Sequence, residues 1–248
     1  MCAGRDTVSL TGKVALVTGG GRGIGRAAAT ALAARNAAVG VLARTREELE
    51  AVAQAIRAGG GRAIPVVCDV RSEEQVAAAF DAVEQEFGPV DIVVNNAGAL
   101  MLKPLTETGL DEWRSILDVN LTGAFIVARE AMRRMAHRPG RIINVGSLAG
   151  RRGYPEQGAY CASKHGLVGL TKVMAIEGQP LGIRVHLVSP GGVLTDLSAD
   201  LRASRNDDPS LWMTPEEVAD AIVFCCLQEG AAVSDEVCLR RFDSEPWR

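Results

Sequence analysis

The sequence predicts an α/β fold: a single domain, residues 1–248, on a doubly wound parallel sheet of about seven strands flanked by helices. Three observations predict it. Apolar runs of strand length alternate with helical stretches along the whole chain. A glycine-rich turn, TGGGRGIG (18–25), joins the first strand to the first helix. The length, 248 residues, is ordinary for one α/β domain with a sizeable core.

The elements follow in order. Lys13 to Thr18 is an unbroken apolar run, as a parallel strand covered on both faces requires. The Ala-rich stretch Ile24 to Arg35 reads as a helix, AAVGVLA (37–43) as a strand, and Arg46 to Arg57 as a second helix. GGGR (59–62) turns the chain into strand AIPVVCDV (63–70). Ser72 is placed to cap the next helix, which runs to Phe87, with Glu73 and Glu74 where the helix dipole favours acids. VDIVVNNAG (90–98) is a fourth strand, and Glu107 to His137 reads as a long helical region. Strand RIINVGS (141–147), a helix from Gly158 to Glu177, strand IRVHLVSP (183–190), helix TPEEVADAIVFCCL (214–227) and a short strand at Val237–Leu239 complete the pattern. Strict β-α-β alternation implies a parallel sheet with helices on both faces. One polar stretch, SADLRASRNDDPS (198–210), interrupts it, and the segment 194–213 is the expected substrate loop.

Bulk composition narrows the function classes. The net charge is −3 with no long run of either sign, so nothing in the charge calls for nucleic acid or a membrane surface as partner. No apolar run approaches a membrane span, and the first residues, MCAGRDTVSL, lack the apolar stretch of a signal peptide. The six cysteines form no C-x-x-C pair and no zinc spacing, which suits free thiols in a reducing, cytoplasmic compartment and predicts no metal site. His137, His165 and His186 have no Ser or Cys partner at a recognisable spacing and read as structural.

Chemistry concentrates at the glycine turn and at YCASK (160–164). Gly19, Gly23 and Gly25 suit positive φ or close backbone approach, and a helix N-terminus after a parallel strand offers N–H groups to a phosphate. With only two tyrosines and four lysines in the chain, Tyr160 and Lys164 stand four apart, on one helix face. A free phenol titrates near pH 10, and a nearby ammonium is expected to bring it down towards a useful range.

With NNAG (95–98), Asn120, Ser147 and PGGVLT (190–195) added, in order and at fitting separations, the sequence from about residue 10 to 240 resembles the short-chain dehydrogenase/reductase family. The resemblance implies a Rossmann-type sheet and hydride transfer between a nicotinamide cofactor and a carbonyl or secondary alcohol. It implies Tyr160 as proton donor, Ser147 as the hydrogen-bond partner of the carbonyl oxygen, and Lys164 on the nicotinamide ribose. Asn120 would hold a water that relays protons to Lys164. Gly19, Gly21, Arg22, Gly23, Ile24 and Gly25 would surround the diphosphate. Asp69 and Val70 would meet the adenine. Asn96, Ala97, Gly98, Pro190, Gly191, Val193 and Thr195 would line the rest of the cofactor. A homotetramer or dimer is implied too, through the helices around 107–137 and 158–177.

The second strand ends VLARTREEL, without the acid that holds a ribose 2′-hydroxyl. Arg44, with Arg22 in the turn and Thr45 beside it, predicts NADP(H) over NAD(H), because a guanidinium fork matches a phosphate. Leu100, Leu148, Tyr154, Leu194, Trp212 and Met213 are candidates for an apolar pocket wall. Arg133, Arg134 and Arg138 are candidates to meet an acidic acyl carrier, if the chain is a 3-oxoacyl-[acyl-carrier-protein] reductase. The end, SDEVCLRRFDSEPWR, departs from the family's G-x-x-x-x-V-D-G-G. Two other readings stand beside the enzyme. An NAD(P)-binding regulator with little turnover would not need the Asn-Ser-Tyr-Lys set. An epimerase or dehydratase of the extended relatives would need a further substrate domain.

Overall fold

In the computed structural model, which describes residues 9–205 and 208–246, seven strands form one parallel sheet. The strands are β1 (Val14–Thr18), β2 (Ala38–Ala43), β3 (Arg62–Val67), β4 (Ile92–Asn95), β5 (Gly140–Val145), β6 (Ile183–Pro190) and β7 (Glu236–Leu239). Their order is β3-β2-β1-β4-β5-β6-β7. β1 is buried at every residue, as its unbroken apolar run requires.

The helices are α1 (Gly23–Ala33), α2 (Arg46–Ala58), α3 (Glu73–Phe87), α4 (Leu110–Leu117), α5 (Ala124–Met135), α6 (Gly158–Gly178), α7 (Ala199–Arg205) and α8 (Pro215–Cys226). Two apolar clusters hold the sheet between them. One packs Leu32, Leu49 and Ile222 on one face, and the other packs Phe80, Met135 and Met174 on the opposite face. Ser72 caps α3 as expected, accepting from the Gln75 N–H at 3.3 Å. Thr214 and Glu217 close a reciprocal cap on α8.

Three expectations are corrected. The third strand stops at Val67, not Val70, because its only partner, β2, ends at Ala43. Pro65 lies in this strand, which tolerates a residue without an N–H because it is at the sheet edge. The fourth strand stops at Asn95, since the N–H groups of Asn96 and Ala97 turn to the Thr18 hydroxyl, each at 3.0 Å. The helical region 107–137 is broken by a π-helical segment, Asp118–Gly123, between α4 and α5. The polar stretch 198–210 carries α7 and a short 3-10 turn, Pro209–Leu211. Residues 206 and 207 of that stretch, and the N-terminal residues 1–8 with Cys2, lie outside the described residues.

β1 and β4 are neighbours in space while their chain connections run to opposite sides, so the strand order reverses between them. In open α/β sheets the crevice at the carboxyl ends of such strands is where ligands bind. The glycine turn, Asn96–Gly98, Ser147 and Pro190 all follow or end strands at that edge.

Candidate active site

The glycine turn is built by two glycines of positive φ and one close approach. Gly19 has φ +63° and Gly23 has φ +54°. Gly25 does something else: a Cβ there would lie 2.2 Å from the Gly19 carbonyl oxygen. That close approach lets α1 pack on the turn. Residue Arg22, at the helix N-cap, makes no side-chain cap bond, and the first turn of α1 has no acid. The N-terminus of α1 therefore keeps free N–H donors, which is what an anion such as a diphosphate needs.

Thr18, which the sequence reading passed over, ties this turn to the fourth strand. Its buried hydroxyl accepts from the Asn96 and Ala97 N–H groups, and Asn96 Nδ2 donates back to the Thr18 carbonyl at 2.9 Å. Gly19 and residues Gly21–Ile24 of the turn, Arg44 and Thr45, Asp69 and Val70, and Asn96–Gly98 line one cleft together. Arg44 and Thr45 are exposed at its mouth. Arg22 lies 3.8 Å from Asp196, an exposed pair. Acids line the cleft as well: besides Asp69 and Asp196, Glu48 on α2 lines it, and a Cβ at Gly21 would meet the Glu48 carboxylate at 2.9 Å. Hydrogen bonds from Arg71, at 2.6–3.0 Å, lower the Asp69 pKa from its ordinary value.

Ile24, Asn96, Gly98 and Thr195 also line a second cavity, of about 220 Å³, so the two are continuous. Ser147, Tyr160, Lys164, Pro190, Gly191 and Val193 line this second cavity. Of the expected apolar wall it includes Leu100, Leu148, Tyr154 and Trp212. Leu194 and Met213 are not in its lining. They tie the ends of the 194–213 segment together, the Leu194 N–H donating to the Met213 carbonyl at 2.8 Å. Leu197 and Leu201 take their places, and Gln157, Arg152, Arg241 and Ser244 join the wall. Arg241 and Ser244 belong to the atypical tail, which folds back over the site. No periodicity marks them in the sequence.

Lys164 is buried on α6 and donates to the Val145 carbonyl at 2.9 Å. Burial brings its pKa down to about 8. Burial raises the Tyr160 phenol above its ordinary value, and the neighbouring Ser147 hydroxyl works the other way. The expected lowering of the phenol by Lys164 is thus corrected. The ammonium lies 5.8 Å from the ring centre, and desolvation of both groups dominates.

Asn120 is buried in the π segment and lines neither cavity. Its Oδ1 accepts from the Ala99 N–H at 2.7 Å, and its Nδ2 donates to the Ala99 carbonyl at 2.9 Å and to Ser163 Oγ at 3.0 Å. Both amide hydrogens are therefore committed, so the side chain has no donor left for a relay water. Ser163, whose hydroxyl donates to the Tyr160 carbonyl at 2.7 Å and accepts from Asn120, braces α6 at the site.

The candidate carrier-facing arginines divide. Arg134 is bound to Glu130, Asp81 and Glu84 at 2.7–2.8 Å, and Arg138 to Asp91 and the Val90 carbonyl. Both are structural. Arg133 is more exposed and lies 3.9 Å from Glu130. His186 is buried with Nδ1 2.8 Å from the Ser234 carbonyl oxygen, as a structural residue would be. Among the described residues no group of acids, cysteines and histidines has metal-binding geometry, and no helix is long and apolar enough to cross a membrane.

Residues 13–206 match the family model described as short chain dehydrogenase. A 3β-hydroxysteroid dehydrogenase of Mediterraneibacter gnavus is 34% identical, covering 91% of this chain and 92% of its own. A 3-oxoacyl-[acyl-carrier-protein] reductase of Synechocystis is 38% identical, over 90% and 93%. Among solved structures, an alcohol dehydrogenase from Thermococcus sibiricus, complexed with 5-hydroxy-NADP, superposes with a TM-score of 0.86 at 28% identity, over 95% and 99%.

Proposed function

The chain belongs to the short-chain dehydrogenase family, and on that premise we propose that it is an NADPH-preferring reductase that interconverts a ketone and a secondary alcohol through Asn120, Ser147, Tyr160 and Lys164. Family members are NAD(P)-dependent oxidoreductases of small molecules, and the relatives above act on substrates as different as a steroid and an acyl thioester. Membership therefore leaves the substrate open.

The observation that carries the reading is the convergence of Ser147, Tyr160 and Lys164 on one cavity continuous with the glycine-turn cleft. The cleft suits a dinucleotide because the α1 N-terminus is uncapped and free of acid. The cofactor, when bound, supplies the hydride. In reduction the carbonyl carbon gains that hydride and the oxygen gains a proton from Tyr160. Ser147 donates a hydrogen bond to the same oxygen, worth more as negative charge develops there. The raised phenol pKa keeps Tyr160 protonated and ready to donate. Lys164, near its own midpoint at about pH 8, can restore that proton and would hold the nicotinamide ribose. Asn120 holds Ala99 and Ser163, and so positions the strand end and α6 from the inside.

Arg44 and Arg22 at the cleft mouth support NADP(H), since a guanidinium favours a 2′-phosphate. Exposed Phe125, Val173 and Ile176 on α5 and α6 support a homo-oligomer through those helices, checked by light scattering across micromolar concentrations. The segment 194–213 would cover the substrate. The deciding experiment is a turnover screen with NADPH and NADH against ketones, oxoacyl thioesters and alcohols. Absence of turnover with every pair, despite cofactor binding, would favour the regulator.

A further inference from the structure

The charge of the second cavity is one-sided. Among the described residues no aspartate or glutamate lines it, while Arg152 and Arg241 do, in addition to Lys164. The two arginines differ in how they are spent. Arg241, from the C-terminal tail, lies 3.2 Å from Asp243 and 5.3 Å from the Trp212 ring centre. Arg152, from the turn after Ser147, has no carboxylate partner among the described residues. Its Nε donates to the Tyr154 hydroxyl at 2.6 Å, and its guanidinium carbon lies 4.9 Å from that ring's centre. Its neighbour Arg151 makes the contrast plain. That side chain turns outward and is taken by Glu236, with Nε 2.8 Å from one carboxylate oxygen and Nη2 in contact with the other.

With Nε committed to Tyr154, Arg152 presents its two terminal nitrogens as a parallel pair of donors. That pair matches the two oxygens of a carboxylate and its single charge. Tyr154 holds the fork in place, which lowers the ordering cost of binding. Leu100, Leu148, Leu197 and Leu201 supply apolar wall for a hydrocarbon body between the fork and the hydroxyls. We propose that the substrate carries a carboxylate, held by Arg152 while the reacting carbon lies at Ser147 and Tyr160. The inference rests on the reductase reading and names its substrate class: keto acids and their hydroxy-acid products.

The test compares a short series of keto acids with their methyl esters and with keto phosphates of the same chain length, at fixed NADPH and salt. Wild type, Arg152→Met, Arg152→Lys and Tyr160→Phe are assayed in parallel. Wild type is expected to favour the acid over its ester by about 10–100-fold in kcat/KM, the range for one charge-assisted pair. Arg152→Met should collapse that ratio towards one, chiefly through KM for the acid, and Arg152→Lys should restore part of it. A merely structural role for Arg152 would lower acid and ester alike and leave the ratio, which overturns the proposal. Equal use of acid and ester by wild type overturns it too, as does a preference for the phosphate. If wild type reduces none of them while NADPH still binds by fluorescence titration, the reductase reading falls as well. Ester turnover lost in Tyr160→Phe would keep that reading standing even where the carboxylate proposal fails.

Discussion

The Lys164 ammonium lies 5.8 Å from the centre of the Tyr160 ring, one helical turn along α6, and donates to the Val145 carbonyl at 2.9 Å. It does not bond the phenol. Burial moves the two pKa values apart, the acid up and the base down, so that each group favours its neutral form. Tyr160→Phe removes only the hydroxyl. It should bind cofactor nearly normally and lose about 10²–10⁴-fold in kcat. Turnover within a factor of two of wild type would end the assignment.

The Lys164 shift has a sign in stability. Its folded pKa, about 8, lies below the ordinary 10.5, so the fold opposes the charge. Below pH 8 the full cost, on the order of 3 kcal/mol, is present. Between pH 8 and 10.5 the unfolded chain binds the proton more strongly, and this contribution rises towards zero as pH rises. Denaturant titrations of the cofactor-free protein and Lys164→Met should therefore show a stability difference that shifts in favour of wild type between pH 7.5 and 10. A difference constant over that range would mean that Lys164 is not desolvated.

Cofactor choice turns on Arg44. It lies in the same cleft as Arg22, with Glu48 as an opposing charge near the turn. A charge-assisted bond contributes about 1.5–3 kcal/mol, so Arg44→Asp should weaken NADPH by about one to two decades. NADH affinity should stay level or improve, because the substitution trades an attraction for a repulsion only where the 2′-phosphate is present. Paired Kd titrations at fixed salt check this. Wild type binding NADH as tightly as NADPH would make the two arginines ordinary surface charges.

Thr18→Val keeps the shape of a fully buried side chain and removes its hydroxyl. The N–H groups of Asn96 and Ala97 then lose their acceptor. A loss of about 2 kcal/mol, or about 4–8 °C in Tm, is expected. Cofactor affinity should fall with it, since the glycine turn is anchored through the same residues. A variant as stable as wild type would show that water replaces the hydroxyl.

What the sequence determined by itself was everything set by near neighbours. The parallel sheet follows from unbroken apolar runs, α3 and α8 from their caps, the turn from Gly19 and Gly23, and the Tyr160–Lys164 pair from helical spacing. These depend on periodicity and on φ, and both are written within a few residues. Only the tertiary structure decided the rest. β3 ends at Val67 because β2, from elsewhere in the chain, runs out. Asn120 reaches Ala99 and Ser163, which are 21 and 43 residues away, and so it serves as a clamp. Arg151 and Arg152 are identical in the sequence, yet Glu236, 85 residues on, engages the first and leaves the second facing the cavity. Desolvation works the same way: the pKa values of Tyr160 and Lys164 depend on which distant segments exclude water from them, and no local pattern encodes that.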